Sequence, residues 1–248
     1  MGFELKVMGL RTSVIIPVRN GETHVVAAID SVIEQLHPQD EILIVDDAST
    51  DRTRTFLTSF RDPRIRILDG AGCGPSAARN KGLGIAQGEF AAFLDHDDLW
   101  PCGRHAALVQ ALIDSPDVDA AFGRIRIRID DGAEMTPRLK NLDNCHAPYN
   151  FLLAGLYRRR LLDRIDGFAE DMRYGEDADY VARLEEFGMR ALLCDVDAVV
   201  YRQHATNASR DHVAVHDGMM EVIRRRIVRA RLRDTRSANR SGHMRKDA

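Results

Sequence analysis

The 248-residue chain contains nothing close to a membrane span: its uncharged apolar runs, such as Ile42-Leu43-Ile44-Val45, last a few residues, whereas a spanning helix needs roughly 20. Residues Met1 to Arg11 lack the apolar segment of a signal peptide. The four cysteines, Cys73, Cys102, Cys145 and Cys194, form no C-x-x-C pair. That excludes a zinc site of paired cysteines and a disulfide framework, and leaves them as small buried residues of a reducing compartment. The chain also lacks a basic body. Lys and Arg number 35 against 38 Asp and Glu, and residues 221–248 hold ten Lys and Arg with three acids, so residues 1–220 carry −10. A nucleic-acid enzyme needs its basic surface on the folded body. With 44% hydrophobic and 29% charged residues, this reads as one cytoplasmic domain with one core, built for a small ligand.

What is present alternates between strand and helix patterns. The run Thr12 to Val18 reads as a buried strand ending at the turn Arg19-Asn20-Gly21. Val25, Val26, Ile29, Val32, Ile33 and Leu36 recur at helical spacing over 22–36. A strand at 41–45 runs into Asp46-Asp47-Ala48-Ser49-Thr50-Asp51, with a helix to about Phe60. A strand at 65–68 then runs into Gly70-Ala71-Gly72-Cys73-Gly74. A helix over 75–87, with Pro75 in its first turn, and a strand at 89–94 follow, leading to Asp95-His96-Asp97-Asp98. Beyond it, 118–122 and 125–129 read as two strands, and 130–148 as a polar connection. The spacing then predicts helices around 158–164 and 176–187, a strand at 191–200, and a basic amphipathic helix from 219 that frays after Arg233. Such alternation predicts an α/β fold, a mostly parallel sheet flanked by helices, with ligands bound beyond the carboxyl ends of the strands.

Two carboxylates one residue apart on a bend, Asp95 and Asp97, suit one hard cation, and Mg²⁺ or Mn²⁺ takes such oxygens together with substrate phosphates. The plainer reading is a solvated acidic turn, with Asp98 capping a helix that begins near Pro101. Asp46 and Asp47 likewise read as turn chemistry plus an N-cap. The clusters Pro17 to Asn20, Asp46-Asp47, Arg79-Asn80 and Asp95 to Asp97 nevertheless all map to one edge of one sheet, which independent surface loops have no reason to do.

These four motifs, in this order and spacing, closely resemble the family 2 glycosyltransferases of GT-A fold: Val14 to Asn20, Val45 to Asp51, Ala78-Arg79-Asn80-Lys81-Gly82, and Phe93 to Asp98. The likeness continues through Gly167-Phe168, Gly175-Glu176-Asp177-Ala178-Asp179 and the segment Tyr201 to Ser209, covering roughly 12–210. It implies a GT-A domain over 1–220, with a nucleotide-binding half at 12–100 and an acceptor side at 101–220, followed by a basic helical tail at 221–248. It implies nucleotide-sugar contacts at Pro17, Val18, Arg19, Asn20, Asp46, Asp47, Arg79, Asn80, Asp95 and His96. The metal, Mg²⁺ or Mn²⁺, falls to Asp95, Asp97 and His204, and catalysis to Asp177 with Glu176 beside it. The implied reaction moves one sugar from a nucleoside diphosphate sugar to a hydroxyl, with inversion and Asp177 as general base. The implied setting is cell-envelope polysaccharide biosynthesis, with an acceptor that includes lipid-linked glycans.

Each residue keeps a bland counterpart. Glu176 and Asp177 fall in the first turn of a helix, where the macrodipole favours acids anyway. His204 is otherwise a surface residue, and Arg79 a helix arginine that snorkels to water. Asn207-Ala208-Ser209 matches a glycosylation acceptor, a reading with little force without a signal peptide. The Q-x-x-R-W motif of the family's processive members cannot occur, because Trp100, the single tryptophan, follows Leu99; single addition fits better than polymer synthesis. The tail reads either as a solvated helix face or as a cationic helix held at the inner face of a membrane over 221–236. Two rival functions use the same residues: a non-catalytic module binding a nucleotide or a partner, and a Mg²⁺-dependent nucleotidyltransferase, which releases pyrophosphate.

Overall fold

The structure is a computed structural model and describes residues 10–130 and 151–243. Its elements are β1 (Thr12–Val18), α1 (Val25–Ile33), β2 (Glu41–Asp46), α2 (Thr53–Leu57), β3 (Ile65–Asp69), α3 (Pro75–Ile85), β4 (Phe90–Phe93), α4 (Arg104–Asp114), β5 (Ala120–Ile129), β6 (Gly155–Arg158), α5 (Arg159–Leu162), α6 (Glu176–Glu186), β7 (Ala191–Gln203) and α7 (His212–His243). All seven strands form one sheet in the order β3-β2-β1-β4-β6-β5-β7, parallel except where β6 pairs antiparallel with β4 and β5. Every residue of β1, β2 and β4 is buried, which is why these strands read as unbroken apolar runs. Val14, Ile15, Ile16, Ile42, Leu43 and Ile44 have no exposed surface, and each such side chain contributes about 1.5–3 kcal/mol of burial.

The register aligns the carboxyl ends. Val18 lies opposite Asp46, Asp46 opposite Asp69, and Ile15 opposite Phe93, so the loops after β1 to β4 share one edge of the sheet. The β7 strand is brought to the same edge by a bridge in which the Leu99 and Val200 amides donate to each other's carbonyls at 3.1 and 2.9 Å.

Four expectations are corrected. The two strands expected at 118–122 and 125–129 are one strand, β5, with a register shift between Phe122 and Ile125. A Cβ at Gly123 would lie 2.5 Å from the Val196 carbonyl oxygen, so the irregular turn of the strand there requires glycine, and glycine made it read as a break. The helix expected near Pro101 begins at Arg104 behind Gly103, with no side-chain cap. Asp98 instead is buried and accepts the Arg202 amide at 2.9 Å. Cys73 and Cys102 are exposed and Cys194 partly so, because the first two lie on turns rather than in the core; Cys145 and residues 131–148 of the expected connection lie outside the described residues. The fourth correction concerns the last helix.

That helix starts at His212 rather than near 219 and continues past Arg233 to His243, passing unbroken through the expected boundary at 220/221. Its 32 residues span about 48 Å at 1.5 Å per residue. Val222 packs with Met172 and Ala178, and Met219 joins them. Arg229 donates to Asp179 and Glu186, both at 2.8 Å, and Arg233 to Glu186 at 2.9 Å. Arg225 reaches Asp171 at 2.7 Å, and Arg226 lies 3.3 Å from Glu185. Four of the tail's arginines are therefore tied to the body, which neither reading of the tail foresaw.

Two glycines let α7 approach the start of α6. Gly175 has φ +78°, and a Cβ at Gly218 would lie 2.6 Å from the Tyr174 carbonyl oxygen. Gly218→Ala gains up to about 1 kcal/mol of helix propensity but overpacks a backbone contact, which costs about 1–3 kcal/mol. Chemical denaturation of this variant is expected to show a net loss of stability, with α7 displaced from Tyr174.

Candidate active site

The side chain that joins the two halves is Arg79, on α3. It is buried, and its Nη2 donates to Asp95 Oδ1 at 2.7 Å while Nη1 donates to Glu176 Oε1 at 2.9 Å. Burial alone would lower its pKa, but Asp95 and Glu176 more than offset this and hold it above its ordinary value. The guanidinium also lies over the Phe168 ring at 5.5 Å, and Phe168 stacks on Tyr180 of α6 at 3.9 Å. Arg79 thus neither snorkels nor floats; it links the strand-end acid to the helix that carries Glu176 and Asp177. Asp177 lines the cavity beside it, partly buried. Desolvation and the neighbouring Glu176 raise its carboxyl to about 6, with Arg79 opposing them.

Asp95, Asp97 and Asp98 each offer a carboxylate oxygen, all within 4.8 Å of one another. Desolvation pushes the Asp97 carboxyl up, but the hydrogen bond from His204 and the charge of His96 bring it below the usual range. Its Oδ2 meets His204 Nε2 at 3.1 Å and the Asn207 amide at 3.4 Å. Asp98 is raised well above the carboxylate range by burial and by Asp97 and Asp95, and its Oδ2 is buried without a partner among the described residues. Clustered hard oxygens and an orphaned buried carboxylate oxygen are what Mg²⁺ or Mn²⁺ takes. The residues fit such an ion. His204 stands next to the cluster through Asp97, its ring 4.4 Å from that of His24.

At the other end of the edge, Asp47 is held by the glycine-rich loop. Its Oδ1 accepts the Gly72 and Cys73 amides at 2.8 and 3.2 Å, and its Oδ2 the Gly74 amide at 2.7 Å. Arg19 donates to the Gly72 carbonyl at 3.4 Å. Asp46 accepts the Ser49 amide, and Asn20, at φ 52°, accepts the Thr50 amide at 2.8 Å. Pro17 and Val18 end β1, where the Val18 carbonyl accepts the Asp47 amide. His96 packs against Gly21, where a Cβ would come within 2.5 Å of its ring. Asn80 is committed elsewhere: it donates to the Phe168 carbonyl and Glu170 and accepts the Phe168 amide at 2.6 Å.

One cavity of about 600 Å³ brings together Arg79, Asp95, Glu176 and Asp177. Asp47 and Asp97 lie outside its lining; Asp97 shares the acidic cluster with Asp95, which does line it, and Asp47 is held by the glycine-rich loop. Its remaining walls include Ile125, Ile127, Phe151 and Leu153, and from α7 His212, Val215, His216 and Met219. Sequence reasoning missed His212 and His216, which their i,i+4 spacing places on one face of α7. It also missed Arg202, near the end of β7, whose Nε donates to the Asp97 carbonyl.

Arg79→Met leaves Asp95 and Glu176 facing each other without their shared cation. Removing one partner of a buried pair costs about 3–5 kcal/mol, so urea denaturation is expected to show a loss of that size, largely recovered when Glu176→Gln is added. A loss below about 1 kcal/mol, the exposed-pair value, would contradict the assigned linkage.

The family model described as Glycosyl transferase family 2 matches residues 13–171, more than half of the chain. The succinoglycan biosynthesis protein ExoO of Rhizobium meliloti (strain 1021) is 30% identical over 218 residues, covering 78% of this chain and 62% of ExoO. WfgD of Escherichia coli, named as a UDP-Glc:alpha-D-GlcNAc-diphosphoundecaprenol beta-1,3-glucosyltransferase, is 43% identical over 89 residues, 36% of this chain and 35% of WfgD. The crystal structure of S. aureus TarS 1-349 in complex with UDP matches with TM-score 0.64 and 25% identity, over 78% of this chain and 60% of that one. The chain spans less than two thirds of the length of these proteins and of the other leading relatives. Its mostly parallel sheet with acids at the strand tips, together with the family match over more than half of its residues, establishes that the chain belongs to glycosyl transferase family 2 and has the GT-A fold.

Proposed function

We propose that the chain transfers a single sugar from a nucleoside diphosphate sugar to an acceptor hydroxyl, with inversion and with a divalent cation. The observation that carries this reading is the cavity lined by both Asp95 and Asp177, whose strand and helix are tied by one buried guanidinium. Transfer needs the departing diphosphate's charge stabilised and the acceptor's proton removed. Asp95 and Asp97 would hold Mg²⁺ or Mn²⁺, with His204 beside Asp97; when bound, the ion supplies Lewis-acid stabilisation of the diphosphate.

The rest falls to the chain's own groups. Asp177 takes the proton of the attacking hydroxyl, and a carboxylate held near pH 6 is an efficient base at neutral pH. A base across the anomeric carbon from the leaving group directs attack to the opposite face, hence inversion; inverting glycosidases place their base by the same logic. Glu176 is positioned by Arg79 and keeps Asp177 basic. Pro17, Val18, Arg19, Asn20, Asp46, Asp47 and His96 surround the nucleotide, and a base that reaches Asp47 competes with the amides of Gly72 and Gly74. Asn80 acts one step away, by fixing the Phe168 loop under Arg79. UDP in TarS and UDP-Glc in the name of WfgD favour a uridine diphosphate sugar. The names of WfgD and ExoO favour a lipid-linked glycan acceptor and polysaccharide biosynthesis. The free thiols of Cys73, Cys102 and Cys194 suit a reducing, cytoplasmic setting.

Asp177→Asn is expected to bind a uridine diphosphate sugar normally by calorimetry while kcat falls by about 10² to 10⁴; normal turnover would remove the role of base. In the wild type, activity is expected to fall as the pH drops below about 6, where Asp177 gains its proton. Stability runs the other way. Because the folded pKa lies above the unfolded value, the ionised carboxylate costs stability once the pH exceeds about 6, and the cost vanishes below the unfolded value. Asp177→Asn should therefore melt above the wild type at pH 8, with the difference closing by pH 4 in differential scanning calorimetry.

A further inference from the structure

One buried side chain touches both Asp97 and the backbone of His204. Asn207 is 7% exposed. Its Nδ2 donates to Asp97 Oδ2 at 3.4 Å and to the Arg202 carbonyl at 3.1 Å, and its Oδ1 accepts the His204 amide. An asparagine amide offers two donors and an acceptor oxygen, so both donors and the acceptor are spent on groups around the acidic cluster. The Asn207-Ala208-Ser209 triplet is therefore not displayed as a glycosylation acceptor, because its amide nitrogen is engaged inside the protein. We propose that Asn207 is a positioning residue of the cation site, aligning the Asp97 carboxylate with His204. This rests on the reading in which Asp95 and Asp97 hold Mg²⁺ or Mn²⁺ with His204 beside Asp97.

Sheet hydrogen bonds do not set the distance between these two residues. Asp97 lies in the turn after β4 and His204 follows β7, and β6 and β5 separate those strands. The bridge between Leu99 and Val200 anchors the two segments only nearby. Arg202 fixes the backbone of the turn, through the Asp97 carbonyl, but not the Asp97 carboxylate. His204 itself meets that carboxylate, with Nε2 at 3.1 Å from Oδ2. A ring nitrogen cannot donate a proton to a carboxylate and offer its lone pair to a cation at the same time. The Asn207 amide has no such conflict, so it keeps Asp97 aligned whichever role Nε2 takes.

The rest of the His204 ring is steadied without dictating that role. Its Nδ1 lies 3.0 Å from Thr206 Oγ1, and its ring centre 4.4 Å from that of His24. A hydroxyl serves as donor or acceptor, so Thr206 suits either tautomer. Asn207 is thus the group whose bonds tie the carboxylate to the backbone that carries the imidazole.

The test uses the full chain saturated with UDP, with free Mn²⁺ counted by electron paramagnetic resonance. Asn207→Ala and Asn207→Leu remove the hydrogen bonds with and without loss of volume, so either one reads the role if the other fails to fold. Both are expected to bind Mn²⁺ about 10- to 100-fold more weakly than the wild type, the range for a partner one step removed from a metal ligand. Melting temperature without metal reports folding, and its rise on adding Mn²⁺ reports affinity. A merely structural role would lower the first and leave the Mn²⁺ affinity of the folded protein unchanged. In a His204→Ala background, the further loss from Asn207→Leu is expected to fall below about threefold, because one of the two groups it aligns is gone. Asn207 variants that bind Mn²⁺ within about threefold of the wild type overturn the inference and leave the transferase reading standing. So does an undiminished loss, about tenfold or more, in the His204→Ala background. A wild type that binds no Mn²⁺ with UDP present overturns the inference together with the cation reading.

Discussion

A single buried cation between two acids from distant parts of the chain makes the site one object. Arg79 comes from a helix packed on the first strands, Asp95 from the end of the fourth, and Glu176 from a helix 97 residues further on than Arg79. A guanidinium taken from water has to recover its solvation from hydrogen bonds of good geometry, and here two carboxylates provide them while Phe168 covers its face. Asp177 depends on this arrangement. Burial and Glu176 push its pKa upward and Arg79 holds it down, so its poise near neutrality is a balance rather than the property of one residue.

The acidic cluster shows the complementary economy of charge. Three carboxyls share one small volume, and the fold treats them differently. The hydrogen bond from His204 and the charge of His96 hold the Asp97 carboxyl below the usual range against its desolvation, whereas burial and its two acidic neighbours raise that of Asp98. The bridge between Leu99 and Val200 makes that distinction possible, because it brings Arg202, His204 and Asn207 against the loop. Sheet topology therefore sets which side chains meet the cluster: with β7 beside β5 and bridged to Leu99, Arg202, His204 and Asn207 reach Asp97.

How much of this could be read from the sequence follows from what covers each segment. The strands β1 and β2 are buried throughout and end in turn chemistry, so apolar runs stopping at Arg19-Asn20-Gly21 and Asp46-Asp47 marked the elements and the edge of the sheet at which they end. The β6 strand escaped because four residues, Gly155 to Arg158, inserted antiparallel between β4 and β5 carry no alternation of their own. Asp98 was misread as a cap because local pattern cannot report a partner amide 104 residues away. Arg79 was visible as a motif, but its burial was not, since helical position alone predicts an arginine that reaches solvent. The start of α7 was missed for a related reason: His212, Val215 and His216 face a cavity, not a core, so their spacing gives no clean amphipathic signal.

The uneven charge of the sequence then acquires a structural meaning. A body of −10 and a tail of +7 look like two separable pieces, yet the acids of α6 and of the loop before it, Asp171, Asp179, Glu185 and Glu186, are the partners of Arg225, Arg226, Arg229 and Arg233. Body and tail neutralise one another across a helix–helix contact that glycine makes close enough to form. Individually, exposed pairs of this kind contribute little. Their shared carboxylates form a network, with Glu186 serving both Arg229 and Arg233, and Asp179 and Glu186 are themselves nearly buried, so the arrangement is better described as a seam than as surface pairs. The same seam fixes the cavity wall that Val215 and Met219 form beside Asp177.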